Sequence, residues 1–187
     1  MNNQNKTVSM VIIAFLLVAF SIVPLHAETI SRDVLKLGEP LPDAVLNQFE
    51  KGPVRLKDLM GRVKILSIVP QLNTPVCDEQ THRFSETNGG LDQFVQLVTI
   101  STNSAEDQNR FAQKAGIRNM TFLSDRPQFD FGERTGLLYR DFGYLKRTVI
   151  VVDKNNIVRY VDWVPGGGLP QIKKALKAAR KVLRQDK

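Results

Sequence analysis

Val63-Lys64-Ile65-Leu66-Ser67-Ile68-Val69-Pro70-Gln71-Leu72-Asn73-Thr74-Pro75-Val76-Cys77-Asp78-Glu79 runs from a strand, through a break, into the start of a helix. The β-branched content of Val63 to Val69 predicts the strand, and Pro70 stops it. Thr74 is placed to N-cap the following helix. Pro75 takes the first helical position, where a missing N–H costs nothing, and Asp78 and Glu79 set acids in the first turn. Cys77 therefore falls in that first turn.

Reading outward, strands and helices alternate. Upstream, Gly38, Pro40, Pro42, Gly52 and Pro53 punctuate a loop-rich lead-in with room only for short edge strands near Ala44 to Leu46 and Val54 to Leu56. Downstream, Gly89-Gly90 is expected to end the helix, and Phe94 to Ser101 is the next strand. Ser104 caps a predicted helix over Ala105 to Ala115, with Gly116 closing it. Met120 to Leu123 is a short strand, and Phe129 to Thr135 one or two helical turns before Gly136. Thr148 to Val152 and Ile157 to Trp163 flank Asp153-Lys154-Asn155-Asn156, which predicts an antiparallel hairpin. Pro170 opens the last helix, whose Ile172, Ala175, Leu176, Ala179, Val182 and Leu183 recur on one face. The expected class is α/β, a central mixed sheet flanked by helices in a thioredoxin-like layout.

The chain has 187 residues, 42% hydrophobic and 24% charged, the balance of an ordinary globular protein rather than a disordered or multi-pass membrane chain. One cysteine and two histidines leave little for a metal site and nothing for an internal disulfide, so neither metal nor cofactor is expected. Met10 to Phe20, continued through Leu25, is an apolar run after a start whose one charge is Lys6. With Ala27 following, it reads as a secretory signal peptide over residues 1–27, or an uncleaved anchor, ahead of a single domain at 28–187. Export makes nucleic acid an unexpected partner despite the formal charge of +7. It also places a lone thiol in an oxidising compartment.

Pro70-Gln71-Leu72-Asn73-Thr74-Pro75-Val76-Cys77 has the form P-x-x-x-T-x-x-C at a strand-to-helix junction, which resembles the active-site motif of the peroxiredoxins. The run Val63 to Phe84 is most similar to the bacterial thiol peroxidase branch. Leu37 to Asp43, Arg110-Phe111, Leu123-Ser124-Asp125 and Arg147 to Asp153 resemble further segments of it, so that the likeness extends from about Leu35 to Leu183. The resemblance implies a peroxiredoxin-type fold, reduction of hydrogen peroxide and small organic hydroperoxides, an outside thiol or thioredoxin-like reductant, and a homodimer. It also implies site roles: Cys77 attacks, Arg147 hydrogen-bonds thiolate and peroxide, the Thr74 hydroxyl orients the peroxide, and Pro70 shields the thiolate from water.

The chemistry sets its own demands. A thiol attacks a peroxide as thiolate, and a free cysteine with a pKa of about 8.5 is mostly protonated near neutrality. A first-turn position favours the anion through unpaired N–H groups and the helix dipole, but Asp78 and Glu79 oppose it, so a cation is needed. Arg147 is the expected one; Arg126, Arg134 and Arg140 are weaker alternatives, better read as surface. The thiolate must also be accessible. Where the thiol peroxidase branch carries a second cysteine in an R-F-C context, this chain reads Arg110-Phe111-Ala112. One-cysteine behaviour is therefore expected, with over-oxidation as its hazard. The rival reading is a thioredoxin-fold redox sensor or binding protein with impaired turnover. A third makes the basic face of the last helix the working surface. Taken alone, Cys77 reads as a small buried hydrophobe, Thr74 as a cap, Pro70 as a strand stop and Arg147 as a solvated charge.

Overall fold

A computed structural model describes residues 34–185; the expected signal segment, residues 1–27, lies outside them. Among the described residues, nine strands and four α-helices follow in chain order. The first pair, β1 (Val45–Gln48) and β2 (Gly52–Arg55), is an antiparallel hairpin. Next come β3 (Lys64–Ile68), α1 (Pro75–Glu86), β4 (Gln96–Ser101), α2 (Ala105–Ala115), β5 (Thr121–Ser124) and α3 (Asp130–Thr135). A two-stranded ribbon, β6 (Leu138–Tyr139) and β7 (Tyr144–Leu145), precedes β8 (Thr148–Val152), β9 (Val158–Trp163) and α4 (Ile172–Gln185).

Seven strands make one mixed sheet in the order β2-β1-β5-β4-β3-β8-β9. β3, β4 and β5 are parallel, joined by crossovers through α1 and α2, while β8 lies antiparallel to β3 and β9 to β8. The central strands are buried on both faces, as their near-continuous apolar runs require. Leu66, Ile68, Val98, Ile100, Ile150 and Val152 point to one side, against Phe131, Leu137 and the lead-in residues Leu35, Leu41 and Leu46. Ile65, Leu97, Val149 and Val151 point to the other, against Phe84 of α1 and Ile172, Ala175, Leu176, Ala179 and Val182 of α4. The alternation follows from the two-residue period of a strand.

The sequence expectations differ from this structure at three places. β1 is not an edge strand: its bridge Asn47–Ser124 ties it to β5 and leaves β2 outermost. α1 stops at Glu86, three residues before Gly89-Gly90, where the Asn88 side-chain amide donates to the Phe84 and Ser85 carbonyls in place of the next backbone N–H groups. The two glycines, both at positive φ, instead carry the chain into a 3-10 turn at Leu91–Gln93. The β6–β7 ribbon had no forecast, since strands of two residues show no period.

Candidate active site

The sheet order builds the site. Because β8 runs antiparallel to β3, Thr148 at its start pairs with Ile68 at the end of β3. Arg147, one residue earlier, therefore stands where the chain leaves β3 for α1. Its backbone is held by the Val164 N–H, which donates to the Arg147 carbonyl at 3.2 Å.

The guanidinium reaches the first turn of α1 with both terminal nitrogens. Nη2 lies 3.3 Å from Cys77 Sγ, and Nη1 donates to Gln80 Oε1 at 2.6 Å. Gln80 in turn donates from Nε2 to Ser67 Oγ on β3 at 2.8 Å. Cys77 and Gln80 are three residues apart and share the helix face turned to the sheet. Thr81 closes the turn from within, its hydroxyl donating to the Cys77 carbonyl. Arg147 is only 8% exposed and pairs with no carboxylate among the described residues, and its Nε has no partner. A buried cation without a counter-charge is costly. Among the described residues, the side-chain groups that its terminal nitrogens meet are the Gln80 amide and the Cys77 sulfur.

The loop over the site is pinned by the β4–α2 turn. Thr102 Oγ1 donates to the Pro70 carbonyl at 3.1 Å, and the Leu72 N–H donates to Asn103 Oδ1 at 2.8 Å. Thr74 is the N-cap residue, in an extended conformation, and the Asp78 N–H bonds to its carbonyl. Its side chain does not cap the helix as expected: Oγ1 points back to the Gln71 carbonyl at 3.1 Å. Pro70, Thr74, Cys77 and Arg147 thus gather around one loop and one helix turn. Arg126, Arg134 and Arg140 are exposed; Arg134 pairs with Asp130, and Arg140 with Glu133.

The expectation of an accessible thiol is overturned. Cys77 is 0% exposed, packed with Val69 and Leu72 and against Phe111 and Phe122, whose rings meet edge to face at 6.2 Å. Two open hollows flank the sulfur without touching it. One, of about 430 Å³, has Pro70 and Arg147 in its wall with Tyr139, Phe142, Tyr144 and Trp163 around it. The other, of about 840 Å³, lies between α1 and α2 with Thr74, Leu72 and Phe111 in its wall. Gln80, Thr102 and Asn103 escaped sequence reasoning. The i, i+3 spacing of Gln80 from Cys77 was the available signal; for the other two there was only a Ser-Thr-Asn-Ser run that reads as a helix cap.

The AhpC/TSA family pattern matches residues 37–161. The chain belongs to that family. Within the AhpC/TSA family it is similar to the thiol peroxidase of Halalkalibacterium halodurans, with 33% identity over 156 residues, 83% of this chain and 93% of that one. The thiol peroxidase of Oceanobacillus iheyensis is 36% identical over 129 residues, 69% of this chain and 78% of the relative. Among solved structures, a peroxiredoxin-like protein from Aquifex aeolicus superposes with a TM-score of 0.72 at 28% identity, covering 79% of this chain and 88% of its own. The thioredoxin-like, peroxiredoxin-type architecture expected from the sequence is the one observed.

Proposed function

We propose that the protein is a thiol-dependent peroxidase that reduces hydrogen peroxide and small organic hydroperoxides through Cys77. The observation that carries this reading is the buried Arg147 guanidinium, 3.3 Å from Sγ and without a carboxylate partner among the described residues. Kinship with thiol peroxidases supports it.

The Cys77 thiolate attacks the terminal peroxide oxygen in line with the O–O bond. A sulfur–oxygen bond forms, the O–O bond breaks, sulfur is oxidised to a sulfenic acid, and the departing alkoxide or hydroxide takes a proton to leave as alcohol or water. Arg147 stabilises the thiolate and, through Nη2 and the unpartnered Nε, the charge that develops on the leaving oxygen. Gln80, fixed by Ser67, holds the guanidinium in place; the Thr74 hydroxyl turns from the Gln71 carbonyl to the bound peroxide, and Pro70 limits water. Since Sγ is covered, attack requires the Pro70–Thr74 loop or the first turn of α1 to part from Phe111 and Phe122. With one cysteine in the chain, the sulfenic acid is reduced by an outside thiol, which forms a mixed disulfide and releases water. A second thiol, small or on a thioredoxin-like protein, then frees Cys77 and leaves as disulfide.

Export by residues 1–27 and a homodimeric state belong to the same proposal; the apolar run Met10 to Leu25 supports the first and family resemblance the second. The burial of Cys77 favours one rival, a slow redox sensor. Steady consumption of hydrogen peroxide by the full chain with dithiothreitol, abolished in Cys77→Ser, is the expected result. A single stoichiometric oxidation without turnover would favour the sensor.

A further inference from the structure

The exposed side of α4 carries six cations, Lys173, Lys174, Lys177, Arg180, Lys181 and Arg184, and the helix contains no acidic residue. Elsewhere the exposed arginines of the helices are neutralised at home: Arg83 pairs with Glu79, Arg110 with Asp107 and Arg134 with Asp130. Among the described residues no carboxylate pairs with any cation of α4. Arg180 and Arg184 bond to backbone carbonyls, and Asp162, at the helix's N-terminal end, is buried and accepts from the Gln171 N–H. The result is a one-signed stripe about 17 Å long at 1.5 Å per residue.

We propose that this face of α4 docks on an anionic phospholipid surface. The charge is complementary to such a surface, and the exposed positions of the helix offer no aromatic or large apolar anchor of the kind that fixes a protein partner. Attraction of this kind is electrostatic and reversible by salt. The inference is independent of the peroxidase reading.

The test is co-sedimentation of the full chain with vesicles of phosphatidylcholine alone or with about one third phosphatidylglycerol, so that any contribution of the apolar run is common to both. At low salt, binding to the anionic vesicles should exceed binding to the neutral ones by at least roughly tenfold, and the excess should vanish near 0.5 M salt. The combined change Lys173→Gln, Lys174→Gln, Lys177→Gln and Lys181→Gln should remove the excess and leave peroxide consumption unchanged, which reports an intact fold. Equal binding to both vesicles would overturn the proposal, as would an excess that survives in the variant. So would equal or tighter binding of duplex DNA at the same salt, which would mark a general polyanion site.

Discussion

Arg147 brings a permanent charge to a place where its two polar contacts are a neutral amide and a sulfur atom. That arrangement makes Gln80 a positioning residue with a specific signature. Gln80→Glu would set a carboxylate against Nη1, give the guanidinium a competing counter-ion and disfavour the thiolate. The rate of Cys77 oxidation should fall by roughly tenfold or more, with the rising limb of its pH profile displaced to higher pH. Gln80→Leu leaves Nη1 and Ser67 Oγ without partners and should cost about 1–3 kcal/mol of stability by denaturant titration. An unchanged pH profile in Gln80→Glu would mean that the contact only packs.

At the scale of elements, α3 depends on one carboxyl group. Asp125, fully buried at the end of β5, accepts from the N–H groups of Phe131 and Gly132, each at 2.8 Å. Gly132 permits this close approach, since a Cβ there would sit 2.6 Å from Leu145 Cδ2 and 3.0 Å from Asp125 Oδ2. Burial pushes the Asp125 carboxyl up to about 7, against the opposing pull of the two donors. Its folded-state value then lies above the ordinary 3.8, so the stability it contributes is complete below about pH 4 and is lost as pH rises through about 7. Relative to Asp125→Asn, the unmodified chain should lose up to about 4 kcal/mol between pH 4 and pH 8, read by urea unfolding at each pH. A flat difference would show that the carboxyl ionises normally. The elements around this one were largely legible in the sequence. Ser104 caps α2 through the Asp107 N–H and Gly116 ends it, as their positions forecast, because capping is local chemistry. What stayed hidden was non-local. Gln80 is matched to an arginine 67 positions away, and the cover over Cys77 is assembled from Phe111 on α2 and Phe122 on β5. Residue spacing along a chain does not report which side chains meet across a sheet, so the motif was visible and the closure of its thiol was not.

The described residues form a seven-stranded sheet and a two-stranded ribbon, with the single cysteine enclosed on the helix that follows β3. With no second thiol in the chain, oxidation cannot be stored as an internal disulfide. Intact mass after excess hydrogen peroxide without reductant should therefore show the gain of one, then two and three oxygens on Cys77. A mass that stays unchanged under excess peroxide would contradict the assignment of Cys77 as the reacting group. The most direct measurement is the second-order rate constant for oxidation of Cys77 by hydrogen peroxide, compared with Arg147→Gln and with a free thiol at the same pH. The unmodified chain should react orders of magnitude faster than the free thiol, and the loss of Arg147 should slow it by roughly 10²- to 10³-fold. Equal rates for all three would contradict the assignment of Cys77 and Arg147 as a reacting pair.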